Sequence, residues 1–112
     1  MKISINKHAV EAKVQDAFKK GLPVLTELIK DDCNQYCKWD EGTLAQSADI
    51  HSRPELGQVI WQTAYAKRQY WEIKTAYTDK NPNASWKWCE VAKRKHLHQW
   101  QQQAQKLLED NL

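Results

Sequence analysis

The chain has 112 residues, a net charge of +3 and a mean hydropathy of −0.85, which fit one soluble domain with a modest core. No stretch approaches the roughly 20 apolar residues a membrane span needs, and a dedicated nucleic-acid binder carries a stronger, more clustered basic excess. Six Trp and four Tyr stand in this polar background, more than a small core readily holds, and such residues are enriched at interfaces.

In chain order, the opening residues Met1 to His8 hold no apolar run of signal-peptide length, so export through such a leader is not expected. From about 6 to 35, apolar residues fall at Val10, Val14, Ala17, Phe18, Leu22, Leu25, Leu28, Ile29 and Cys33, the steps of three and four that define a helix face. Pro23 lacks a donor and crowds the preceding turn, so one helix bent near Lys19 to Leu22 is expected. Cys33, Cys37 and Cys89 are odd in number, which argues for reduced thiols. A zinc site combining them with His96 or His98 matches no familiar finger spacing; packing is the simpler role, and no metal or cofactor is expected.

Asp40, Glu41, Gly42 and Thr43 signal a turn. Leu44, Ala48 and Ile50 then read as a strand or extended segment, Arg53 to Gly57 as a reversal, and Val59, Trp61 and Thr63 as the returning strand. Two strands alone are marginal in water, so this sheet needs a helix, a further strand or a neighbouring subunit. Tyr65 to Ile73 fits either a short helix or a continued edge strand, and 74–84 reads as a polar loop. Asn81 is a plausible N-cap with Pro82 in the first turn of a second long helix. Its stripe runs through Trp88, Cys89, Ala92, His96, Trp100, Ala104, Leu107 and Leu108 to about 110. The expected fold is therefore α+β in one domain over 1–112: a long bent N-terminal helix (6–35), a small antiparallel sheet or β-hairpin (43–72), a loop (74–84) and a long C-terminal helix (82–110).

Several short motifs occur in a telling order. Gly21-Leu22-Pro23 lies in the first helix, and Asn34-Gln35-Tyr36 leads into Asp40, Gly42, Leu44 and Ser47, an Asp-x-Gly-x-Leu-x-x-Ser pattern. Tyr65-Ala66 with Tyr70, Asn81-Pro82-Asn83-Ala84, Ala92-Lys93 and Trp100 follow. In this order the chain resembles the minor capsid proteins of long-tailed (siphovirus) phages of Gram-positive bacteria, relatives of neck, head-tail connector and tail-completion proteins. It departs from them at Glu41, where Thr is common, and in lacking a Glu-x-Gly after the second strand. The resemblance implies a non-catalytic virion part at the head-to-tail junction. It also implies assembly in the host cytoplasm with copies of itself, as a ring around the DNA channel, and with connector or adaptor and tail proteins.

Trp39, Trp71 and Tyr77 flank turns or loops instead of lying on the helix stripes, and are the interface candidates. Lys87, Lys93, Arg94 and Lys95 make the last helix basic in its first half and are candidates to face passing DNA; the plainer reading is a solvated face, where Glu90 offers Arg94 an i,i+4 partner. A nonspecific nucleic-acid-binding module using this helix is the alternative function. No Gly-rich phosphate loop, zinc-protease His pair or nucleophile elbow is present, so no catalytic residue is expected.

Overall fold

The two apolar stripes form two helices of 23 residues each, α1 (Ala12–Asn34) and α4 (Trp88–Asp110), about 35 Å long at 1.5 Å per residue. The computed structural model describes residues 1–4, 12–39, 42–73 and 79–112. Between the long helices lie α2 (Thr43–His51), a 3-10 turn at Pro54–Leu56, strand β2 (Gln58–Ile60) and α3 (Ala66–Trp71). Strand β1 (Lys2–Ser4) pairs antiparallel with β2, Lys2 opposite Ile60 and Ile3 opposite Val59. The expected α+β class holds, in a mostly helical form.

The long helices pack antiparallel. Gly21 of α1 abuts Leu107 near the end of α4, where an added Cβ would lie 3.1 Å from the Leu107 Cβ. Further along, the Trp100 indole donates to the Asp32 carboxylate at 2.6 Å, and the Tyr36 hydroxyl meets His96 Nε2 at 2.9 Å. The axial extents are 49 × 25 × 19 Å, and the radius of gyration is 15.0 Å, against about 13 Å for a compact domain of this length. Two antiparallel helices of about 35 Å account for the elongation.

The core sits where both long helices meet the small elements. Trp61 and Trp88 are fully buried, edge-to-face at 5.8 Å, and Tyr70 packs on Trp88 at 4.7 Å. Such pairs add about 1 kcal/mol each beyond burial. The Trp61 indole donates to Asn34 Oδ1 at 2.9 Å, which ties the end of α1 to the segment after β2. Lys30, on α1, reaches Glu27 at 2.5 Å and Asp49 of α2 at 2.7 Å. Burial works against its charge, but these two carboxylates outweigh burial and raise its pKa.

Three expectations need correction, and one open alternative is settled. The segment expected as a strand at 44–50 is helix α2, because Leu44, Ala45, Ser47 and Ala48 are buried at helical spacing while Ile50 is exposed. The sheet is consequently no hairpin: β2 takes its partner from the beginning of the chain. Tyr65 to Ile73 resolves in favour of a helix, α3. The last helix opens at Trp88, because Asn81 is engaged elsewhere. Its Nδ2 donates to the carbonyls of Gln35 and Cys37 at 2.9 and 2.8 Å, and its Oδ1 accepts from the Asn83 N–H at 3.0 Å, an Asx turn instead of a helix cap. The first helix is continuous through Pro23, and its expected start at 6–11 lies outside the described residues.

Candidate interface surfaces

Trp39 follows the turn that ends α1. Its backbone N–H donates to both carboxylate oxygens of Asp79, at 3.0 and 3.2 Å, and its carbonyl accepts from the Lys80 N–H at 3.1 Å. The indole lies over Gly42, which has a φ of 80° and opens α2. Trp39 is thus exposed at one edge and held at its backbone. Tyr77 lies outside the described residues.

Trp71 ends α3 and is 54% exposed. Trp86, which the sequence reading passed over, is also exposed and lies in the turn before α4. Between them sits Lys87, its ammonium 5.2 Å from the Trp71 ring and 4.6 Å from the Trp86 ring, within cation–π range of both. Lys87 is held at a φ of 48°, a left-handed conformation uncommon for a residue with a side chain, and its N–H donates to the Tyr70 carbonyl at 2.7 Å. That bond fixes the end of α3 against the start of α4. The cluster borders an open pocket of about 410 Å³, to which Lys2 and Ile3 of β1 and Glu90 and Arg94 of α4 also contribute.

The basic residues of α4 do not converge. Lys87 and Arg94, two turns apart, line the same pocket. Lys95 lies over the Tyr36 ring at 5.3 Å, and Lys93 is exposed. Successive positions 93, 94 and 95 point about 100° apart around the helix. Among the described residues, Glu90 forms no ion pair with Arg94.

The cysteines are free and buried. Burial pushes the Cys37 thiol up from 9.0 to about 12, and a hydrogen bond with Cys89, together with burial, raises Cys33. Such thiols are poor nucleophiles and poor ligands. Among the described residues no His, Cys, Asp and Glu side chains gather into a group of three able to hold a metal. No helix of the described residues is long and apolar enough to cross a membrane.

Other exposed apolar side chains, Ile50, Tyr65 and Ile73, lie away from the Trp71–Lys87–Trp86 cluster's pocket. What the surface offers is contact chemistry: aromatic faces, a bracketed ammonium and a strand edge. No curated protein and no solved structure matches the chain. A family model for minor capsid proteins matches residues 1–108, and the chain therefore belongs to the minor capsid protein family, structural components of the phage virion.

Proposed function

We propose that this minor capsid protein acts at the head-to-tail junction, as one of a ring of copies around the DNA channel that bridges connector or adaptor and tail proteins. It performs no chemistry; shape and aromatic contacts carry the assembly. One observation supports this reading above others: Trp71 and Trp86 stand exposed around Lys87 although the core already encloses Trp61 and Trp88. Large aromatics beside a cation are typical anchors of protein interfaces, where truncating one costs about 2 kcal/mol or more of association. A ring needs a heterologous contact, one patch on each copy meeting a different patch on the next.

The test is mass by light scattering after size exclusion, alone and with purified connector or tail. A closed ring in either condition, lost in Trp71→Ala, supports the reading. A chain that stays monomeric with both templates, yet binds DNA with a steep salt dependence, overturns it in favour of the nucleic-acid module. The divergence of Lys93, Arg94 and Lys95 around α4 supplies no single basic face for that second reading.

A further inference from the structure

Among the described residues, the outer edge of β1 in the two-stranded sheet carries no partner strand. Met1 and Trp61 exchange both backbone hydrogen bonds, each at 3.2 Å. Hydrogen-bonded and non-bonded pairs alternate along an antiparallel ladder, so Ile3 and Val59 form the next bonded pair and the Lys2–Ile60 pair between them is non-bonded. The Lys2 N–H and carbonyl therefore point away from β2. On the opposite side of the sheet, the corresponding Ile60 N–H is satisfied by Ser52 Oγ at 2.9 Å.

That strand is also a wall of the pocket formed with Trp71, Trp86, Lys87 and Arg94. The charges there are uneven: Lys2, Lys87 and Arg94 line the pocket with the single carboxylate of Glu90. Natural proteins usually protect a bare strand edge, and one set beside exposed aromatics is suited to pairing with another chain. Lys87 adds a further sign of purpose. A left-handed site is the place for glycine, yet here it carries a long cation that brackets itself between two indoles.

We propose that β1 is a docking edge for an extended, acidic segment of a neighbouring virion protein, which adds as a third strand beside Lys2. Its backbone pairs with the Lys2 N–H and carbonyl. Acidic side chains on it meet Lys87 and Arg94, and an apolar one rests against Trp71 and Trp86. This is strand addition, in which the backbone gives affinity and alternate side chains give specificity. The peptide backbone presents the alternating donors and acceptors that a strand edge requires, whereas a DNA sugar–phosphate backbone presents acceptors only and leaves the Lys2 carbonyl without a donor. The inference rests on reading Trp71 as an interface residue and names the partner's chemistry.

The test is selection from a random library of displayed dodecapeptides against the intact chain. The expected pool is acidic with alternating apolar residues. A selected peptide should slow exchange of the Lys2 amide proton. It should lose about tenfold or more in affinity with Arg94→Glu, an exposed position, and on N-methylation of alternate amides in the peptide. Lys87→Gly, which keeps the left-handed turn, should fold normally and also bind more weakly. A basic or charge-indifferent pool, binding insensitive to N-methylation, an unaffected Lys2 amide, or oligothymidylate binding the same pocket as tightly would each overturn the proposal. Light scattering separates this from the ring: a ring that binds no such peptide overturns strand addition alone, whereas a peptide-binding chain that never assembles overturns the ring alone.

Discussion

Gly42 offers a test of how Trp39 is held. A Cβ at that position would lie 2.7 Å from Cζ2 and 3.0 Å from Cε2 of the Trp39 indole, a rigid ring with no flexible end to yield. The Trp39 backbone is tied by Asp79 and by Lys80, so in Gly42→Ala the ring itself must move. Trp39 is 37% exposed, so it has somewhere to go. A Trp buries roughly 200 Å², of which roughly 130 Å² would be uncovered, a loss of about 3 kcal/mol at about 25 cal/mol per Å². An alanine in the left-handed region costs about 1 kcal/mol more, and the stiffer unfolded chain returns about 0.5 kcal/mol. Partial relaxation of the ring lowers the first figure, so the expected destabilisation is about 2–4 kcal/mol.

Urea unfolding of Gly42→Ala in wild-type and Trp39→Ala backgrounds decides the cause. Without the indole there is nothing to expel, and the same substitution should cost only about 0.5 kcal/mol, leaving a coupling of about 2–3 kcal/mol between the sites. Acrylamide should also quench indole emission more strongly in Gly42→Ala than in the wild type. Equal costs in the two backgrounds would refute the steric argument and leave backbone strain as the whole effect.

Three other outcomes follow from the packing. At Gly21, alanine gains about 1 kcal/mol of helix propensity and crowds Leu107, which borders a cavity of about 230 Å³ and has room to shift. Thermal melts should therefore place Gly21→Ala within about 1 kcal/mol of wild type and Gly21→Val about 2 kcal/mol below it. Lys30 is buried, but its partners Glu27 and Asp49 are 48% and 60% exposed, so the ion pairs are screened. Lys30→Met, which keeps the buried stem, should cost at most about 1 kcal/mol in urea unfolding, and Lys30→Ala clearly more. Cys37 holds its proton to about pH 12 in the folded chain but sheds it near 9.0 when unfolded. Stability from this group is thus intact below about pH 9 and falls as pH rises toward 12, by at most about 1.4 kcal/mol per pH unit. Cys33 and Tyr70, also raised, add to the decline, while Lys38, lowered by burial, opposes it; unfolding midpoints across this range should fall less steeply in Cys37→Ala.

What the sequence made legible was the long-range periodicity. The apolar residues of α1 and α4 recur often enough that the helical period stands out, even through Pro23. The short elements were harder because each holds too few residues to separate the two periods. Leu44 and Ala48 lie four apart, a helical spacing, and the exposed Ile50 completed an alternation that meant nothing. The strand that pairs with β2 was hidden for another reason. Lys2, Ile3 and Ser4 give one apolar residue in a segment too short to score, and its partner lies at the other side of α1 and α2. Only the assembled core brings the two together.

The surface residues show how one local error propagates. Looking for aromatics beside turns found Trp39 and Trp71, both exposed, and missed Trp86. The omission follows from placing the start of the last helix at Asn81 and Pro82, which put Trp86 inside a helix instead of in the turn before it. Asn81 has the chemistry of a cap, but its amide is spent on Gln35 and Cys37. Because those carbonyls belong to the turn after α1, no local rule applied to 79–88 reveals that Asn81 is held there. The helix is then left to begin at Trp88, just after Lys87, whose N–H is anchored on Tyr70. The same contact sets Lys87 between Trp71 and Trp86. The tertiary bonds that displace the helix start are thus also those that build the aromatic face, which is why the two went unread together.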